Sequence, residues 1–285
     1  MESGKTAVAL LTSANDKEAF NIGNTINSHN NDRKSVDREI TNEAFEMVLS
    51  KSNFKENKVT IVYNPNWHKG VVGIVASRLV EEFYRPTIVL TNSNGFITGS
   101  ARSIPGFDLY EAIEKCSDLL ENFGGHMYAA GLTFKPENLK KFVGKFEEVV
   151  SAKVDESILI PLVDIDTKLE FKQITPKFFR VLKQFQPFGP GNPSPIFLTE
   201  NVYDNGNGRK VGTDAGHLKL ELIQEDNPHR HISAIAFNRS EDFEHLNDGK
   251  PIDVCYSLAE NYYRGIANIQ LRIKDIKLKE DFLNR

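Results

Sequence analysis

The sequence predicts an α/β domain followed by a small β-barrel, entered through N-terminal connecting helices. Three observations carry this reading. Between residues 58 and 150, short β-branched runs alternate with stretches of helical periodicity, as an α/β layer requires. Beyond residue 195 the helical period gives way to five strand-like runs bounded by turn residues, the pattern of a small barrel. Residues 15 to 51 lack Gly and Pro after Gly23 and carry Phe20, Ile22, Ile26, Val36, Ile40, Phe45 and Val48 at spacings near three and four, which is helical.

Taken in order, the polar stretch Asn27 to Lys34 leaves the first region weakly apolar in its middle, so it reads as helices on a surface or bridging two bodies. VTIVY (59 to 63) is a strand, Val71 to Phe83 a helix, and PTIVL (86 to 90) and GFITGSA (95 to 101) two more strands. A helix over Leu109 to Leu120, the pair Gly124 and Gly125, a strand from Tyr128 to Phe134 and a helix from Pro136 to Val150 complete the α/β part. Pro136 suits the first turn of that last helix. SAKVDESILIP (151 to 161) is a linker. One helix over Pro176 to Phe185 then precedes strand runs near 195 to 203, 217 to 223, 231 to 237, 252 to 259 and 266 to 277. NGNG (205 to 208) and Asn247 to Gly249 are turn chemistry. The expected domains are therefore 1–57, 58–152 and 157–285.

Composition narrows the function. The 285 residues, 40% hydrophobic and 26% charged, can bury an ordinary core. The net charge of -4 argues against coating nucleic acid by bulk positive charge, because phosphate affinity comes from Lys and Arg displacing counterions. Only residues 58 to 104 are net positive, with five basic against two acidic side chains; residues 157 to 285 hold 17 against 18. No apolar run is long enough for a bilayer and MESGKTAVALLTS lacks a basic leader pattern, so a cytoplasmic protein with no membrane partner is expected. Cys116 and Cys255 have no CxxC partner, which leaves buried thiols as the expectation. ESGKT at residues 2 to 6 lacks the upstream glycine and strand of a P-loop. His229 and His231 alternate, but nothing nearby completes a ligand set, and no Asp and His cluster suits a two-metal nuclease site, so no metal is expected in this chain.

Three segments rise above this background. In WHKGVVGIVASRL (67 to 79), Gly70 and Gly73 bring backbone close at the start of a helix whose first amides could face an anion; tight helix packing would explain the same glycines. In GSARSIPGFDLYEAI (99 to 113), Ser100 and Arg102 lie two apart on a strand, share a face and can grip one oxyanion; a surface salt bridge is the plainer role for Arg102. In FGGHMYAAGLTF (123 to 134), paired glycines put His126 at the start of a strand, where a lone histidine is usually structural.

Together these segments resemble the DHHA1 domain of the DHH phosphoesterase superfamily, whose Gly-Gly-His appears as Gly124, Gly125 and His126. Their order, with RPTIVL between the first two, is similar to that of RecJ-type single-stranded-DNA exonucleases. QPFGPGNPSPIF (186 to 197) resembles the segment leading into the OB domain of that family, and LRIKDI (271 to 276) its last OB strand. The resemblance implies a DHHA1 domain and an OB-like barrel, preceded by the end of a DHH domain and its connecting helix. It implies that Ser100 and Arg102 help hold a 5′-terminal phosphate, that His126 contacts the scissile phosphate, and that Gly124, Gly125 and His68 line the same groove. Tyr262, Tyr263 and Arg264, in the turn NYYRG, are stacking candidates, although a plain hairpin turn fits them equally. The partners implied are single-stranded DNA and the DHH domain of the same polypeptide, where Mn or Mg would be held. The DHH motifs themselves are absent from these residues, so the chain alone is expected to bind and position but not to hydrolyse. Two rival readings remain: a non-enzymatic single-stranded nucleic-acid-binding adaptor, and another DHH-superfamily phosphodiesterase acting on oligonucleotides.

Overall fold

The computed structural model describes residues 4–51, 56–225, 227–247, 249–263 and 265–278. The chain divides by packing into Met1–Pro161 and Leu162–Arg285.

The first unit opens with α1 (Gly4–Leu11) and the 34-residue α2 (Asp16–Leu49). Asn15 caps α2 by accepting from the amides of Lys17 and Glu18, and Asp16 and Glu18 complement the helix dipole in the first turn. Where several surface helices were expected, there is one continuous helix, and its C-terminal part belongs to a core. Ile40, Ala44 and Val48 fall on one stripe by their spacing and are buried against Val62, Val75, Leu79 and Val89. Beside them Asp37, almost fully buried, pairs with Arg78 at 2.7 Å, and the Trp67 indole donates to Glu43 at 2.7 Å.

The sheet that follows is built from β1 (Thr60–Tyr63), β2 (Thr87–Ser93), β3 (Phe96–Arg102), β4 (Asn122–His126) and β5 (Ala129–Phe134), in the order β1-β2-β3-β5-β4. Only β1 and β2 are parallel, joined by the crossover helix α3 (Val72–Phe83). Residues alternate between faces. Val62 and Val89 turn toward α2 and α3; Ile61, Ile88, Leu132 and Phe134 share a second core with α4 (Leu109–Glu114) and α5 (Leu139–Lys153), where Phe142, Phe146 and Val150 are buried. The helix expected to reach Leu120 ends at Glu114 and is followed by a 3-10 turn over Ser117–Leu119. Ser117 and Asp118 offer the backbone local alternatives to the helix ladder. The expected placement of His126 is corrected too: it ends the edge strand β4 instead of starting a strand. A five-residue Gly-Gly segment carries too little strand propensity to be read as one.

The second unit contains β6 (Thr167–Lys168), α6 (Pro176–Leu182), β7 (Phe197–Asp204), β8 (Arg209–Val211), β9 (His217–Gln224), β10 (Asn227–Ala236), α7 (Phe243–Asn247), β11 (Ile252–Tyr263) and β12 (Ile266–Leu278). Strands β7, β11, β12, β10 and β9 are neighbours in that order, and β9 pairs back onto β7, closing a five-stranded barrel. Strict alternation fills it: Leu218, Leu220 and Leu222 point inward with Ala234, Val254, Tyr256 and Leu271. The Tyr256 hydroxyl meets Thr199 at 2.7 Å, while Thr199 donates to the Leu169 carbonyl at 2.8 Å; burial pushes the Tyr256 phenol up to about 12. Thr175 caps α6 by accepting from the Phe178 amide. Phe178 packs edge-on against Phe197, and Arg230 donates to the Ile174 carbonyl at 2.6 Å, which ties this helical segment to β10. In the NGNG turn, Asp204 accepts from the amides of Gly206, Gly208 and Glu221. The three-residue β8 that follows is too short for any periodicity to reveal.

Candidate nucleic-acid interface

In the first unit, the sheet register builds a site. Ser100 pairs with Gly131 and Gly131 with Gly124; Arg102 pairs with Ala129 and Ala129 with His126. Paired residues point to the same face, so Ser100, Arg102 and His126 share one face, with His126 two strands from Arg102, about 10 Å away. Between them lies a floor of Gly131, Gly124 and Ala129. A Cβ added at Gly124 would meet nothing within 4 Å, and one at Gly131 only the Gly99 carbonyl at 3.9 Å. These two glycines therefore leave space open; crowding does not demand them. Gly125 differs: its φ is +148°, and a Cβ there would lie 2.2 Å from the Ala129 carbonyl oxygen. It forms the tight approach that turns β4 into β5.

The wall of this floor is the start of α3. Gly73 backs onto the pair, an added Cβ falling 3.0 Å from Arg102 Nη2 and 3.1 Å from Ser100 Oγ. In this first turn the Ile74 amide already bonds the Val71 carbonyl at 2.9 Å, which leaves the amides of Val72 and Gly73 at the positive end of the helix dipole. Arg102 Nη1 donates to Ser100 Oγ and to the Ala101 carbonyl, both at 2.8 Å. Among the described residues no carboxylate pairs with this half-buried guanidinium, so the salt-bridge role considered for it has no partner there. Desolvation lowers its pKa, meaning that burial disfavours the cation at a place where an anion would compensate it.

The two histidines are exposed and similarly prepared. His68 Nδ1 accepts from the Gly70 amide at 3.0 Å, and His126 Nδ1 from the Tyr128 amide at 3.3 Å. In each neutral ring the proton then sits on Nε2, which is left to donate outward. Seen as chemistry, the floor offers a guanidinium, a hydroxyl, helix amides and an imidazole N-H to an oxyanion. No group of three His, Cys, Asp or Glu able to hold a metal exists among the described residues. These side chains do not fit a divalent ion.

In the second unit, Tyr262 stands 70% exposed near the end of β11; the Tyr263 side chain and Arg264 lie outside the described residues. A groove of about 750 Å³ runs between α6 and the outer surface of β9, β10 and β12, lined among others by Arg180, Lys219, Arg230, Glu221 and Glu260. Phe237, also on that outer surface, carried no motif, and Arg272, although inside LRIKDI, was not singled out as a binding residue by sequence reasoning. The signal was present: alternation that puts Ala234 and Ala236 inside puts their neighbours outside.

A DHHA1 domain model matches residues 56–152 and a RecJ OB domain model residues 165–275. The chain thus carries a DHHA1 domain followed by a RecJ OB domain. It is 34% identical to the single-stranded-DNA-specific exonuclease RecJ of Bacillus subtilis over 98% of its length, covering 35% of that protein. To the RecJ of Escherichia coli it is 31% identical over 97% of its length, covering 48%. The chain thus spans between a third and a half of these relatives. A crystal structure of Thermus thermophilus RecJ in complex with Mg2+ superposes on 97% of the chain and 41% of its own, with TM-score 0.77 at 24% identity, a likeness of fold. No helix among the described residues is long and apolar enough to cross a membrane.

Proposed function

We propose that these two domains bind and position single-stranded DNA for a 5′-to-3′ exonuclease of DNA repair and recombination. The 5′-terminal phosphate sits on Ser100, Arg102 and the first turn of α3, above the Gly124 and Gly131 floor. His68 lines the groove, and His126 donates from Nε2 to the scissile phosphate. The barrel holds the strand downstream. Hydrolysis belongs to a DHH domain of the same polypeptide, with Mn or Mg bound there and not by the residues described here. That the relatives are single-stranded-DNA-specific exonucleases supports the substrate class.

The observation that carries this reading is Arg102: a half-buried cation without a carboxylate among the described residues, hydrogen-bonded to Ser100 and pressed against a helix N-terminus. Binding of 5′-phosphorylated and 5′-hydroxyl strands at fixed salt tests it. Arg102→Ala should shrink the preference for the phosphorylated strand by about 1.5 to 3 kcal/mol, the scale of a hydrogen bond to a charged group. A folded mutant with an unchanged ratio would remove the phosphate assignment.

A further inference from the structure

We infer that Phe237 is a base-stacking seat on the barrel, flanked by Arg272 and His217, and that the barrel grips a single strand chiefly through its bases. The inference deepens the reading above and rests on it, since it requires that the barrel hold a single strand.

Phe237 follows directly on β10 and is 45% exposed, and among the described residues it is set apart from the other exposed aromatic rings by the cation over it. Two neighbours fix it. The Arg272 guanidinium lies over one face of the ring, its carbon 5.1 Å from the centroid, and His217 packs edge-on with centroids 5.1 Å apart at 73°. His217 is itself held, its Nδ1 accepting from the Asn238 amide at 3.1 Å. The Phe237 ring is therefore ordered before any ligand arrives, which reduces the entropy lost on binding. No carboxylate among the described residues pairs with Arg272. An exposed aromatic ring with an uncompensated guanidinium beside it suits a nucleobase, which offers a π-face to the ring and a neighbouring phosphate to the cation.

The surroundings decide between base and backbone as the main anchor. Register sets Lys219 opposite Ile235, and Glu221 opposite Ser233, so the outer surface continues from Phe237 along β9 and β10 into the groove beside α6. Four residue steps separate Phe237 from Ser233, about 13 Å. That groove carries Glu221 and Glu260 beside its cations, and Glu260 already neutralises Lys183 at 2.9 Å. With Glu260 paired to Lys183 and Glu221 set against Arg180, Lys219 and Arg230, the groove keeps only a small net positive charge, which limits what counterion release supplies. Stacking is left as the larger source of affinity.

The test uses the whole chain and 5′-hydroxyl probes of about 12 nucleotides, within the span of one OB fold. One probe is oligo-dT and the other an abasic-spacer strand with the same number of phosphates. Wild type should bind oligo-dT more tightly than the abasic strand. Phe237→Ala should lose roughly five- to hundredfold for oligo-dT, the range of base-aromatic stacking, with no change for the abasic strand. Phe237→Trp should keep the affinity, while Phe237→Leu, which retains apolar packing on His217 but no π-face, should lose it. Equal loss on both probes, or full affinity in the folded leucine variant, would overturn the stacking seat while leaving the strand-binding reading intact. A wild type that binds neither probe would overturn both.

Discussion

Gly124 and Gly125 are adjacent glycines with opposite requirements. Gly125 has a conformation and a contact distance that no side chain tolerates, so Gly125→Ala should destabilise the first unit by about 2 kcal/mol or more, read as a fall in the denaturant midpoint. Gly124 has room for a side chain, but that side chain would stand on the floor between Arg102 and His126. Gly124→Val should therefore fold with stability within about 0.5 kcal/mol of wild type, yet weaken binding of 5′-phosphorylated strands by about tenfold. If both substitutions act on stability alone, the floor is structural and no ligand lies across it. Cys116 is inert for a different reason: burial pushes its thiol up to about 11, so it should resist alkylation in the folded chain.

At the scale of elements, α2 is stabilised unevenly. Its buried residues begin at Asp37, and the preceding turns present Phe20 to solvent at 70% exposure. Helices gain most of their stability from tertiary burial, so amides of residues 16 to 34 should exchange much faster than those of 40 to 48. Uniform protection along α2 would contradict this. In the barrel, Tyr256 links β11 to β7 through Thr199. Its folded pKa, raised to about 12, lies above the unfolded value near 10. The stability it contributes is complete below about pH 10 and is lost as pH rises toward 12, at roughly 1.4 kcal/mol per unit. Tyr256→Phe should flatten that alkaline decline while costing about 1 kcal/mol at neutral pH for the lost hydrogen bond.

At the scale of the molecule, the barrel core shares no residue with the two cores of the first unit, which predicts two separately stable bodies. The expected linker at 151 to 161 is largely packed, Val154, Ile158 and Leu159 lying on the first unit's core, so limited proteolysis within residues 160 to 165, where Ile160, Leu162 and Ile165 are exposed, should release two fragments that each unfold cooperatively. Loss of cooperativity in either fragment would show that the units depend on one another. The same division bears on activity. If hydrolysis belongs to a separate domain, as proposed, purified chain incubated with Mn and 5′-phosphorylated strands should release no mononucleotides. Steady release by a preparation free of other nucleases would refute the assignment of hydrolysis to a separate domain.

The order of elements, the fold class and the candidate side chains Ser100, Arg102 and His126 were legible in the sequence, because alternation, turn residues and the Gly-Gly-His segment are local patterns. Local pattern also explains the failures: a Gly-Gly edge strand and the three-residue β8 have no period to detect, and the helix after Leu109 stops where Ser117 and Asp118 bend the backbone. What only tertiary structure decided is which residues face one another. Register across β3, β5 and β4 made Gly124 and Gly131 into open floor and Gly125 into a close contact, a distinction invisible in a run of identical residues. Pairing of β7 with β11 on one side and β6 on the other brought Leu169, Thr199 and Tyr256 together, and the parallel pairing of β10 with β12 set Arg272 beside Phe237. Such pairings join positions tens of residues apart, and their energy depends on packing that no local stretch of chain contains.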